Sequence, residues 1–259
     1  WLAEADERPL FLFFHTYEVH QPSTHALFDG GADPASRAVA AYAGDLAFAD
    51  RDFERLLDGF DAARGLDRAV VVITSDHGEN LHDRDLGVRP VDHGHHLHRE
   101  LLEVPLIVVA PGLVPARGAT PGPAMLLDVV PTVLSLVGVD PGDPPRQGRD
   151  LRAVLQGRAA AEPERELAAG APLHGPTWDA LRTRRWALLR APAVAGEEWW
   201  ASVRMPPIGL YDRDRDPGER LDVAAAHPEV VAALSGRLDE RRRADLELRR
   251  TLGGGAAPA

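Results

Sequence analysis

The amino-acid sequence predicts an α/β protein whose largely parallel sheet carries helices on its faces. Two observations point there. Continuous apolar runs recur at residues 9–15 (PLFLFFH), 69–74 (AVVVIT) and 104–110 (VPLIVVA), each of strand length and without polar alternation, the pattern of strands buried on both faces. Between the first two, Val39, Tyr42, Ala43, Leu46, Phe53, Leu56, Leu57 and Phe60 recur at helical spacing, so strand, helix and strand alternate.

Taken in order, the run at 9–15 follows Trp1 so soon that the chain reads as entering in the middle of a domain. The helix over 35–63 is stopped by Gly65. The runs at 69–74 and 104–110 each lead into polar or Gly-containing sequence, the places where a strand hands over to a loop. Residues 125–137 (MLLDVVPTVLSLV) read as another helix, with Pro131 either near its start or kinking it. Beyond Leu151 the sequence turns to Ala, Arg, Glu and Pro until Gly175, the composition of a connector. Residues 185–190 (RWALLR) and the segment through Tyr211 read as short strands, and 228–252 as a long charged amphipathic helix. The expected layout is therefore an α/β domain over 1–160, a connector over 161–174, a small subdomain over 175–252 and a disordered tail over 253–259. Trp186, Leu188, Leu189, Leu210 and Tyr211 are too few for a separate core, so the subdomain must pack against a neighbour.

Composition narrows the function classes. With 44% hydrophobic and 27% charged residues in 259, and no apolar run long enough to span a bilayer, the sequence reads as a soluble globular chain. A formal net charge of -11 argues against nucleic acid, which needs a concentrated basic face. The absence of cysteine removes disulfides, thiolate metal sites and cysteine nucleophiles within these residues. All 29 basic residues are arginine, so a titratable cation near neutral pH falls to histidine. Oligomeric state and compartment are not encoded legibly.

Three segments carry chemistry. The sharpest is TSDHGE (74–79), directly after the run at 69–74. Ligands gather beyond the carboxyl ends of strands in open α/β sheets, and there Asp76 and His77 can share a divalent cation while Gly78 allows close backbone approach. Alone, the motif fits equally an Asp capping the next helix with a surface His beside it. The second is the cluster His93, His95, His96 and His98 with Asp92, of which one or two members are expected to bind metal, steady an anionic oxygen or protonate a leaving group. The third is HTYEVHQP (15–22), where His20 leaves the strand end toward the cleft expected at Asp76 and His15 reads as a structural histidine.

In combination these segments resemble the sulfatase family of the alkaline phosphatase superfamily, in its C-terminal portion. PLFLFFHTYEVHQP looks like the strand and His-x-Pro turn, and YAGDLAFADRDFERLLDGF like the helix after it. VVITSDHGE resembles the metal-binding strand end, and HGHHLHRELLEVPLIVVAPG the substrate loop and next strand. LLDVVPTVLSLVGVDPGDPPRQGRDL is similar to the D-x-x-P-T-x-L helix and its closing Gly-Arg-Asp-Leu. GLYDRDRDPGERLDVA resembles the late LYD-x-x-x-DP-x-E turn. The resemblance runs over nearly the whole chain in the family's order.

What it implies is an alkaline phosphatase-like α/β fold, a large, largely parallel or mixed sheet sandwiched by helices, with a small C-terminal antiparallel sheet plus helix. It implies that Asp76 and His77 are metal ligands, that His20 contacts the sulfate and assists the leaving group, and that His93 is the catalytic histidine of the substrate loop, with substrate-binding His95 as the alternative. Many relatives use a lysine in that loop, a residue this chain lacks. Calcium is the family's expected cation. Calcium-dependent members often have Asn where His77 stands, however, and calcium prefers oxygen donors, so manganese or zinc stays open. The family's nucleophile, a Cys or Ser within C/S-x-P-x-R that becomes formylglycine, is expected upstream. The nearest look-alike, over 142–146, has Gly142 at the nucleophile position. The expected activity is hydrolysis of a small-molecule or carbohydrate sulfate ester, with this chain alone inactive. The alternatives are a phosphoester or phosphonate hydrolase or phosphoglycerol transferase of the superfamily, and a non-catalytic fragment or binding module.

Overall fold

A computed structural model describes residues 8–20, 30–86, 91–116, 118–120, 122–140, 142, 147–170, 178–191 and 205–252. Helix α1, Pro34–Arg64, starts where the Asp33 carboxylate accepts the Ser36 N–H and ends where Gly65, at φ 79°, donates its N–H to Asp61 O. Proline at the first helical position loses nothing, since that N–H has no intrahelical acceptor.

Strands β1 (Val71–Thr74) and β4 (Leu106–Val109) enclose a short hairpin, β2 (Asn80–Leu81) with β3 (Val91–Asp92), and the one-turn helix α2 (Arg99–Leu102). β1 and β4 pair antiparallel, with Val72 opposite Val108 and Thr74 opposite Leu106. This corrects the expectation of a largely parallel sheet: all strand pairs among the described residues are antiparallel. The reason is local. After β1 the chain folds through the hairpin and α2 and re-enters the sheet beside Thr74, at the end it left, instead of crossing over. Burial alternates along β4, leaving Ile107 and Val109 about half exposed, so the strand is covered on one face only. Residues 9–15 form no strand; Phe11 is 83% and Phe13 77% exposed. An apolar run becomes a strand only when a ladder satisfies its amides and carbonyls, and none of the described strands pairs with it.

Helix α3, Val129–Val137, has Pro131 in its first turn, where its missing N–H costs no bond, and ends at Gly138 in the left-handed region at φ 73°. The fully buried Asp128 fixes its start. Its carboxylate accepts the N–H groups of Met125 and Arg149, both at 2.8 Å, and a two-pronged pair from Arg165 at 2.6 and 2.8 Å. The short helix α4 (Arg152–Leu155) follows.

The C-terminal module is an antiparallel sheet in the order β5 (Leu167–Gly170), β6 (Asp179–Arg182), β7 (Trp186–Arg190), β8 (Ile208–Asp212). Helix α5, Pro228–Thr251, packs on β6 and β7. β5 lies inside 161–174, read from sequence as connector; its LAAG residues carry no period-2 signal, and pairing with β6 holds them. Residues 171–177, 253–259 and most of 142–146 lie outside the described residues. Alternation along β6–β8 sends Leu181, Leu188 and Leu210 toward Leu234 and Leu238 of α5. The opposite face packs Ala180, Ala187, Leu189 and Tyr211 against Trp178 and Leu97, the latter from the histidine loop. One face of this sheet is thus closed by the loop that holds the candidate histidines.

Candidate active site

The turn after β1 is tightly bonded. Thr74 Oγ1 donates to Pro105 O at 2.7 Å, Ser75 Oγ to His77 O at 2.6 Å, and His77 N to Asp76 Oδ1 at 3.0 Å. His77 Nδ1 lies 2.8 Å from Gly78 O. A carbonyl only accepts, so Nδ1 carries the proton and Nε2 presents its lone pair. Nε2 is 3.7 Å from Asp76 Oδ1, and the Asp76 side chain is 74% exposed. The turn sits against α2: Gly78 N donates to Leu101 O at 2.9 Å, and a Cβ at 78 would stand 2.0 Å from Glu100 O. Glycine is required there by space.

His93 packs face to face on His77, with ring centroids 4.2 Å apart and planes 25° from parallel. His20 meets His93 at a tilt, with ring centroids 4.9 Å apart, and Tyr17 meets His20 edge-on at 5.6 Å. His20, His93 and His77 therefore form one continuous run of rings next to Asp76. His95 is partly buried in the same loop, and these ring contacts do not pass through it. Glu79, inside the motif at 74–79 yet given no role from sequence, accepts from His93 Nδ1 at 2.9 Å with its side chain 6% exposed. That bond sets the His93 tautomer, with the proton on Nδ1.

His96 and His98 have a different place. Both are buried, and each has its pKa lowered by that burial, His96 to about 3. His98 Nδ1 lies 3.4 Å from the carboxylate of Glu219, which is itself fully buried and 2.5 Å from Arg182 Nη2. Burial works against that carboxylate's charge, but His98 and Arg182 outweigh it and hold its pKa down to about 2. Sequence reasoning assigned nothing to Glu219, Arg84 or Arg182.

Asp76 and His77 suit a divalent cation as a hard carboxylate beside an imidazole of the correct tautomer. Among the described residues no group of three or more His, Cys, Asp or Glu converges as a cage, so this pair would supply at most part of a coordination sphere. No described helix is long and apolar enough to cross a membrane.

The fold is shared with solved structures. BT4656, solved in complex with its substrate D-glucosamine-2-N,6-O-disulfate, is 21% identical with a TM-score of 0.64 over 81% of this chain and 41% of that one. The phosphonate monoester hydrolase of Agrobacterium radiobacter is 20% identical with a TM-score of 0.59 over 84% of this chain and 42% of that one. In sequence, the choline-sulfatase of Rhizobium meliloti (strain 1021) is 24% identical over 212 residues, 81% of this chain and 38% of the relative. The profile of the family described as Sulfatase matches residues 1–139, more than half of the chain, and the chain belongs to that family, within the alkaline phosphatase superfamily. It spans about two fifths of the length of the curated relatives it matches.

Proposed function

We propose that this chain supplies one wall of the active site of a metal-dependent sulfuric ester hydrolase. The observation that carries the reading is the run His20–His93–His77 beside Asp76 at the end of β1, in a chain of the sulfatase family. Asp76 and His77 Nε2 would hold a divalent cation, and the imidazole donor favours manganese or zinc over calcium. When bound, the cation supplies positive charge against the ester's anionic oxygens. With the Glu79 carboxylate accepting from Nδ1 and offsetting the ring's positive charge, His93 would act as the general acid when Nε2 also carries a proton, passing that Nε2 proton to the departing alkoxide, with His20 beside it to contact the sulfate; His95 is the further substrate contact in this loop. The nucleophile, a formylglycine by family, would come from residues outside this chain. The substrate class is a small-molecule or carbohydrate sulfate ester.

A second reading, phosphonate or phosphoester hydrolysis, is favoured by the likeness to the phosphonate monoester hydrolase. One experiment separates them. The natural full-length protein is assayed with Mn²⁺ or Ca²⁺ on an aryl sulfate and on an aryl phosphonate, beside its Asp76→Ala variant. Metal-dependent sulfate turnover abolished by the substitution is expected; turnover of the phosphonate alone would replace the sulfatase reading by the second. The 259-residue chain by itself is expected to turn over neither.

A further inference from the structure

We propose that Glu219, on the C-terminal module, is a positioning residue for the His77–His93 pair, acting through helix α2. The proposal rests on the reading of that pair as an active site. Glu219 Oε2 accepts the backbone N–H of Arg99, the first residue of α2, at 3.0 Å across 120 residues of sequence. His98, at the helix's own N-cap position, makes no side-chain cap bond, so the carboxylate of another module does that work. Four more bonds fasten the same turn to α2. Arg84 donates to Gly218 O at 2.5 Å, to Glu219 O, and through Nε to Glu100 Oε1 at 2.6 Å, while Arg99 Nη1 donates to Pro217 O at 2.9 Å. Glu219 itself sits in the left-handed region at φ 53°, a conformation that persists in a non-glycine residue only where its surroundings enforce it.

The far side of α2 faces the site. Leu101 O receives the Gly78 N–H at 2.9 Å, and Glu100 O fills the space in front of Gly78. Helix α2 is a single turn, Arg99–Leu102, so it has no length over which to absorb a shift. A displacement of Arg99 is delivered to Gly78, and from there to the bonded turn that aims His77. The histidine loop is held from the same point, because His98 is wedged between Glu219 and Tyr211, the latter with its ring centroid 5.0 Å away. Both members of the stacked pair are therefore set by one carboxylate.

The test labels the histidines of the full-length protein with ¹⁵N and compares wild type with Glu219→Gln. Displaced ring resonances of His77 and His93 are expected while His227, which rests on Trp186 in the C-terminal module, keeps its own. Movement of His96 and His98 alone would overturn the proposal and leave Glu219 a local structural residue. Where Glu219→Gln does not fold, Arg84→Gln cuts the same bridge without touching the buried carboxylate and is read in the same way. On an aryl sulfate, kcat is expected to fall roughly 10–100-fold with KM changed less than about twofold. An unchanged kcat would overturn the proposal. Wild-type protein without sulfate turnover would overturn the sulfatase reading instead, with the resonances still deciding the positioning.

Discussion

His77 and His93 stack with their ring centroids 4.2 Å apart, although one leaves the end of β1 and the other follows β3. The two rings are held by different anchors, His77 by Gly78 O and His93 by Glu79. Consecutive residues of one turn thus set the tautomers of both.

The metal assignment predicts that Asp76→Ala and His77→Ala each weaken Mn²⁺ binding by the full-length protein at least tenfold, since even outer-shell partners of a ligand are worth about 10–100-fold. Calorimetric titration measures this directly. A dissociation constant unmoved by either substitution removes both residues from the metal site.

Glu79→Gln should reverse the His93 tautomer. An amide can donate to Nδ1, which then gives up its proton to Nε2. Nitrogen chemical shifts of the ring report the change, and the accompanying loss of aryl sulfate turnover should be about 10–100-fold. A ring that keeps its proton on Nδ1 would show that the carboxylate does not set it.

Gly78→Ala forces a methyl group onto Glu100 O, a backbone atom that cannot swing aside. A cost of about 1–3 kcal/mol is expected, read as a lower urea midpoint. Unaltered stability would mean that α2 can move away from the turn.

Acid should destabilise the protein in two stages. His96 has an ordinary value of 6.5 and a folded value of about 3, so the unfolded chain binds its proton first. Stability is complete above pH 6.5 and is lost as pH falls through that window, by up to about 1.4 kcal/mol per pH unit. Glu219, lowered from 4.5 to about 2, adds a second loss in the same direction below pH 4.5. Urea midpoints against pH should therefore fall less steeply between pH 6.5 and 4.5 in His96→Asn, with His98, whose pKa burial also lowers, supplying the remaining slope. Curves parallel to wild type would show that His96 is not held neutral.

Breaking the buried Asp128–Arg165 pair from one side leaves an uncompensated charge. Asp128→Ala should cost roughly 3–5 kcal/mol, and the double change Asp128→Ala, Arg165→Ala less than the sum of the singles. Additive losses in a thermodynamic cycle would show that the pair is not coupled.

The sequence made α1, α3, α5 and the strand-end residues legible because their signals are local. Gly65 ends α1 by its own backbone, and the apolar run before Thr74 places Asp76 and His77 at a strand end, whereas the one-turn helices α2 and α4 are too short to show a period. Strand direction is different: an apolar run has no sense, so β1 and β4 could be read as buried but not as antiparallel. β5 escaped because Ala and Gly carry too little hydrophobic contrast to alternate. The separation of His93 at the ring stack from His96 and His98 in the interior depends on Glu219 and Arg84, whose partners are distant in sequence and leave no periodicity behind.

The bond between Arg99 and Glu219 also sets a clock. During synthesis, residues 76–98 leave the ribosome while their anchor, 120 residues downstream of Arg99, is still untranslated. At about 5–20 residues per second that interval is roughly 6–24 s. For most of it the histidine loop lacks Leu97's partners Ala187, Leu189 and Tyr211, and for all of it the carboxylate. The turn that carries Asp76 and His77 therefore waits for a carboxylate made long after it, and a chain cut short before Glu219 lacks the anchor of α2.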